Sequence, residues 1–202
     1  MKHCIFALTL FLLLPRAQAE EAFVIEGGIG TAETQMFNPQ GQAMTANGNA
    51  AYARLHFPLI QGARQILALT FGANIGETGY TDSTLNRTQF ASRSGTNIGL
   101  NYRIFVFNFG AEVQSNGLRQ TTVGDMSALI TYDVQLPVYY GGILWRLGKM
   151  GIGARYAVAK STIPKKSSLL DEDHPFEEKM ASITLSYHFD GTRSAFFSSL
   201  FR

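Results

Sequence analysis

The sequence predicts an all-β fold, an antiparallel eight-stranded transmembrane up-and-down β-barrel. Three observations predict it. Apolar and polar residues alternate strictly along successive short stretches. The connections between those stretches are alternately long and short. An apolar leader precedes them all, whereas no run of about 18 apolar residues is present to cross a membrane as a helix.

Composition sets the frame. Charged residues make up 16% of the 202-residue chain, against about 25% in an average soluble domain. The hydrophobic fraction of 46% is that of a folded protein, and 20 Gly and 15 Phe against 6 Pro favour strands over a helical bundle. Residues 1–19 read as a secretory signal peptide. Lys2 and His3 open it, an apolar run extends from Ile5 to Leu14, and Ala17-Gln18-Ala19 supplies the small residues of a cleavage site. A helix of that run would span only about half of a bilayer core, which argues against an uncleaved anchor. Cys4, the single cysteine, leaves with the leader, so neither a disulfide nor a thiolate metal site is expected. Without Lys2 and Arg16, the 17 basic residues become 15 and balance the 15 acidic ones. A neutral chain offers no electrostatic footprint for a nucleic acid.

The strands follow in order, each with period two. In 23–31 the odd positions carry Phe23, Ile25 and Ile29, and Glu26 lies opposite. In 51–59 Leu55, Phe57 and Leu59 oppose Tyr52, Arg54 and His56. Leu67, Leu69, Phe71 and Ile75 then oppose Thr70 and Asn74. Ile98, Leu100 and Tyr102 oppose Arg93, Asn97 and Asn101, and Phe105, Phe107, Phe109 and Val113 oppose Asn108, Glu112 and Gln114. Segment 126–147 exceeds the 9–11 or so residues of one crossing strand. Pro137 inside it marks an edge, a bulge or a strand start. The crossing part is taken as 138–147, with the stretch before it a strand extension above the membrane; a two-strand reading would make nine strands. Ile152, Ala154, Tyr156 and Val158 oppose Gly151, Gly153 and Arg155, and the last strand sets Ala181, Ile183, Leu185, Tyr187 and Phe189 against Ser182, Thr184, Ser186 and His188. Short turns are expected at 60–64, 103–104 and 148–149, and long polar loops at 33–49, 77–88, 115–125 and 160–179. Four long loops and three short turns put both termini in the periplasm.

Residue types orient the faces. The polar face is mostly Gly, Asn, Ser and Ala with isolated charges, which suits a narrow lumen that side chains must fill. The apolar face carries Phe, Leu, Ile and Tyr. Aromatics near strand ends, among them Phe57, Tyr102, Phe105, Trp145 and Phe189, suit membrane–water interfaces. The leader, the alternating strands and the final Ala181-x-Ile183-x-Leu185-x-Tyr187-x-Phe189 together resemble the small outer-membrane barrel proteins of the OmpA and OmpX kind. That resemblance covers 20–190 and lies in architecture rather than in a residue motif; Thr184 stands where a Gly is usual. It implies an outer-membrane location, a monomer, and contact with outer-membrane lipids including lipopolysaccharide. It also implies that the barrel-assembly machinery reads the last strand.

The expected lumen holds Glu26, Arg54, His56, Arg93, Glu112, Arg146, Arg155 and His188. Unpaired charges in a closed barrel are costly, so these residues are expected to pair as a structural core. A narrow ion path along them is the alternative. A lipid A-modifying enzyme needs a nucleophile and a base. Ser186 and His188 share a strand face, with backbones about 6.6–6.8 Å apart. With His56 and Glu26 they fall at the periplasmic end, away from the outer leaflet. The acids Asp171, Glu172 and Asp173 beside His174 form a solvated loop run without diagnostic metal spacing. Gly27-Gly28-Ile29-Gly30 has no following helix and makes no phosphate cradle. No cofactor is expected. In the tail, 191–202, Phe196, Phe197, Leu200 and Phe201 could form one apolar helical stripe on the membrane surface. The leading functional expectation is a non-enzymatic surface barrel acting through its outer loops.

Overall fold

A computed structural model describes residues 21–37, 43–62, 64–82, 87–122, 129–163 and 174–191. The expected leader, loop acids and tail beyond Gly191 lie outside these residues. Eight strands form: β1 (Glu21–Phe37), β2 (Ala43–Gln61), β3 (Gln65–Asp82), β4 (Arg87–Ile104), β5 (Phe107–Thr122), β6 (Leu129–Leu147), β7 (Met150–Ile163) and β8 (His174–Asp190). Each pairs antiparallel with the next, and β1 pairs with β8, from Glu21↔Asp190 to Thr34↔Glu178, so the sheet closes. Closure removes both sheet edges, which is what a strand protein in hydrocarbon requires.

The alternation sorts the faces as the pattern predicts. Ile29, Ile75, Tyr139 and Ile183 are each at least 60% exposed on the outside, while Glu26, Arg54, Thr70 and His188 are at most 5% exposed on the inside. A continuous exposed surface of Ile, Leu, Phe and Tyr is a membrane belt, because a soluble monomer does not leave such an area open to water. At the turn end, Phe23 stacks on Phe189 at 4.1 Å and lies 6.4 Å from Phe57, and Phe57 meets Phe71 edge-on at 6.1 Å. Exposed Tyr139 and Tyr156 mark the opposite rim.

Two expectations are corrected. The long loops are largely strand: 33–37, 43–49, 77–82, 115–122, 160–163 and 174–179 all lie in the ladder. Strands of 14–19 residues exceed the 9–11 or so that cross a bilayer, and the excess stands on the loop side. There the outward face turns polar, with Glu33, Glu177 and Lys179 linked by ion pairs at 3.5 and 3.6 Å. With their outward face polar, these extensions escape a pattern that depends on an apolar face turned to lipid. The second turn lies at Phe105–Val106 rather than 103–104. Phe105 takes a left-handed φ of 54°. Its N–H bonds to Arg64 O at 3.0 Å, while Val106 O accepts from Leu144 N at 2.7 Å, so neighbouring strands fix the bend there. The third turn falls at Gly148–Lys149 as expected. Gly148 has φ 66° and open space around it, a conformation that glycine adopts without steric cost.

Segment 129–147 is one strand. Its pairing with β7 runs only from Val138↔Ala159 to Leu147↔Met150, although its pairing with β5 continues to Leu129. Pro137 lies where the β6–β7 ladder stops, so its missing N–H interrupts nothing. Ser161 Oγ donates to Gln135 O at 3.2 Å across the seam above it.

Candidate functional site

Inward parity brings the candidate charges into a lumen that they fill. At mid-height Arg54 from β2 crosses to Glu112 on β5, with Nε–Oε2 at 2.9 Å and Nη2–Oε1 at 2.5 Å. Two bonds in fork geometry hold this pair more firmly than a single contact would. Asn97 Nδ2 and Gln114 Nε2 each donate to Glu112 at 2.7 Å. Arg155 from β7 reaches Glu26 on β1 at 3.2 Å, and its Nη2 lies 3.8 Å from Glu112. His56 Nε2 lies 3.4 Å from Glu26 and its Nδ1 is 3.0 Å from Thr70 Oγ1.

Two tyrosines bracket the guanidinium groups. Arg54 lies 3.9 Å over the Tyr52 ring, and Arg155 3.3 Å over the Tyr140 ring, contacts that gain from removal of water. Each ring lies over a glycine of the adjacent strand: a Cβ at Gly28 would overlap Tyr52, and one at Gly110 would overlap Tyr140. The glycine-rich inner face therefore makes room for two large rings in a narrow barrel. Tyr52 OH is 2.6 Å from Thr184 Oγ1, and Asn101 donates to Tyr140 OH at 3.0 Å.

Toward the loops, Arg93 pairs with Glu178 on β8 at 2.5 Å and donates to Asn74 Oδ1 at 2.8 Å. Around and above them the buried lumen residues include apolar Ala32, Ala46, Phe176 and Met180 beside Thr34 and Thr78. Toward the turns a second knot centres on Glu21. Arg103 reaches its Oε2 at 2.5 Å, and Arg146 and His188 reach its Oε1 at 2.6 and 3.0 Å. Arg146 also pairs with Asp190 at 2.7 Å. Gln61 brackets the Glu21 backbone, accepting from its N–H at 2.9 Å and donating to its carbonyl at 2.6 Å.

The eight candidate residues thus divide between these groups rather than forming one network. Glu26, Arg54, His56, Glu112 and Arg155 are together; Arg93 stands above them, and Arg146 and His188 below. Strand parity alone misses Glu21, because a bulge between Glu21 and Phe23 turns its side chain inward, as bulges re-aim side chains generally. Arg103 and Glu178 continue the inward parity of β4 and β8, so the signal that finds them is the same alternation carried to the true strand ends. Ser186 and His188 meet after all: Oγ lies 3.0 Å from Nε2, and Nδ1 lies 3.0 Å from Glu21. Wide backbone spacing does not keep apart two side chains that lean toward each other on one face. Among the described residues no cluster of His, Cys, Asp and Glu is arranged to hold a metal ion.

No family model matches the chain, and no curated protein sequence matches it. Solved structures match by fold. Neisserial surface protein A has 10% identity and a TM-score of 0.50, over 85% of this chain and all of that one. Ail, the attachment invasion locus protein of Yersinia pestis, has 10% identity and a TM-score of 0.50, over 84% of this chain and 99% of that one. The chain therefore has the closed eight-stranded fold of small outer-membrane β-barrels.

Proposed function

We propose that this protein is a sealed outer-membrane barrel that works from outside its lumen, presenting its strand extensions and outer loops as an interaction surface to host, envelope or ligand. The observation that carries the reading is the Arg54–Glu112 crossing from β2 to β5 at mid-height, backed by Arg155–Glu26, which bridges β7 and β1 over β8. A channel needs a continuous wet path lined by groups that bind ions weakly. Here the charges are spent on one another, with aromatic rings between them and buried apolar side chains packed beside them. The belt is surrounded by outer-membrane lipid, including lipopolysaccharide, and the chain acts as a monomer. The outward row Ala181, Ile183, Leu185, Tyr187 and Phe189 is the part offered to the barrel-assembly machinery. Refolded protein added to a planar bilayer should give no steady conductance. Long-lived, ion-selective unitary currents from the pure protein would replace this reading with the channel.

One observation favours a second reading. Ser186, His188 and Glu21 are linked in the order of a nucleophile, a base and the acid that orients it. A hydrolase also needs room for substrate beside the serine. Ser186 is 3% exposed and lines neither of the small lumen cavities, of about 10 and 20 Å³. The folded barrel should therefore resist labelling by a fluorophosphonate probe; stoichiometric labelling that is lost in Ser186→Ala would establish the enzyme instead.

A further inference from the structure

We propose that the lumen holds one small monovalent anion, of halide size, between Arg54, Arg93 and Arg155. The cavity there has a volume of about 20 Å³. That is room for a single water-sized particle. The charged side chains lining it are Arg54, Arg93, Arg155 and Glu178, and each guanidinium keeps its carboxylate partner. Glu26 and Glu112, the partners of Arg155 and Arg54, are not part of its wall.

The hydrogen-bond inventory is one-sided. Arg54 Nη1, Asn74 Nδ2, Arg93 Nε, and Arg155 Nε and Nη2 are buried without a hydrogen-bond acceptor, and all belong to residues of this wall. Every one is a donor. The four side chains are at most 8% exposed, so bulk water does not satisfy them. Asn74 is fixed in this sense because its Oδ1 already accepts from Arg93 Nη1 at 2.8 Å, leaving its amide hydrogens as the unused end. The wall's acceptors already take other donors: Gln114 Oε1 takes Arg93 Nη1 at 3.1 Å, Glu178 Oε1 takes Arg93 Nη2, and Glu178 Oε2 takes Thr34 Oγ1 at 3.3 Å.

Leaving buried donors without partners costs roughly 1–3 kcal/mol each, so an occupant is strongly favoured. A water would accept about two hydrogen bonds and bring two hydrogens into a wall already crowded with them. A halide accepts from all sides and brings no hydrogen, so one ion can meet several of these donors at once. Phosphate or sulfate is too large for the space. This occupant presupposes the sealed lumen of the proposed function, but the two fail separately: conductance reports closure, and halide dependence reports the occupant.

The test uses the whole barrel refolded in detergent in sodium chloride, sodium bromide or sodium gluconate at one ionic strength, so that closure traps whichever ion is present. The thermal midpoint should rise saturably with chloride and bromide and stay flat with gluconate. Asn74→Leu should remain folded and closed and lose most of that rise. Should Asn74→Leu fail to fold, crystals of the unaltered barrel grown in bromide decide the matter, through an anomalous peak within hydrogen-bonding distance of Arg54, Arg93 and Arg155. Identical midpoints in chloride and gluconate, or a water in the cavity with no bromide signal, would overturn the proposal.

Discussion

Glu112→Gln should destabilise the barrel by about 3–5 kcal/mol, the usual cost of leaving one member of a buried pair alone. The substitution keeps the side chain's volume and removes its charge. Glu112 accepts from Arg54, Asn97 and Gln114 and lies near Arg155. The amide can accept on one atom only, so its nitrogen faces a guanidinium that has lost its acceptor. Unfolding in urea from lipid vesicles, followed by tyrosine and tryptophan fluorescence or by gel mobility, measures the change. Two companions show that the cost comes from the orphaned charge. Adding Arg54→Met should recover much of the loss, because an apolar replacement of the whole pair leaves nothing unpaired. Glu177→Gln removes a carboxylate whose partner Lys160 is 68% exposed, and it should leave unfolding unchanged. No lasting conductance should open in Glu112→Gln, since Tyr52, Tyr140 and both arginines still fill the section. Unchanged stability with altered ion selectivity would mean that these charges line a path.

How far the sequence foretells this arrangement depends on how local each cause is. The outward row of β8 and the inward placement of Arg54, Arg93, Glu112 and Arg155 follow from period two, because a strand gives its side chains no other choice of face. The identity of each partner does not follow. Glu26 and Arg54 are directly opposed across β1 and β2, yet each pairs elsewhere, Glu26 with Arg155 on β7 and Arg54 with Glu112 on β5. That choice depends on barrel shear and on the space left by Gly28 and Gly110, neither of which a single strand reveals. Glu21 is illegible for a different reason, since one bulged residue reverses parity at the start of β1. The Ser186–His188 contact depends on rotamers rather than spacing. The ends of the strands are misplaced where the outward face turns polar, at Glu33, Glu77 and Glu177, because the alternation read from the sequence depends on a face that meets lipid.

Facing toward lipid is the premise on which all of this rests, and Leu69→Arg tests it with an effect of about 2–4 kcal/mol if the site is near the bilayer midplane. Leu69 lies outward on β3, paired with Phe57 on one side and Leu100 on the other, both members of the apolar belt. An arginine there must snorkel along the wall or draw water and headgroups inward. Its cost should therefore vary with depth. Along the same strand Leu67, Leu69, Phe71 and Ile75 form a ladder of outward positions, and arginine should cost most in the middle and least at the ends. Ser115→Arg, outward and exposed on β5 just beyond Val113, should cost nothing, because it stands above the belt. Thr70→Arg probes the other face. Thr70 is 0% exposed and bonded to His56 at 3.0 Å. An arginine there overpacks the lumen and adds a fourth cation to Arg54, Arg93 and Arg155. Its penalty should be insensitive to lipid chain length, whereas that of Leu69→Arg should grow in thicker bilayers. Refolding the variants into vesicles of two acyl-chain lengths and measuring urea unfolding separates the two signatures. Equal costs for arginine at Leu69 and Ser115 would show that the apolar face is not in hydrocarbon.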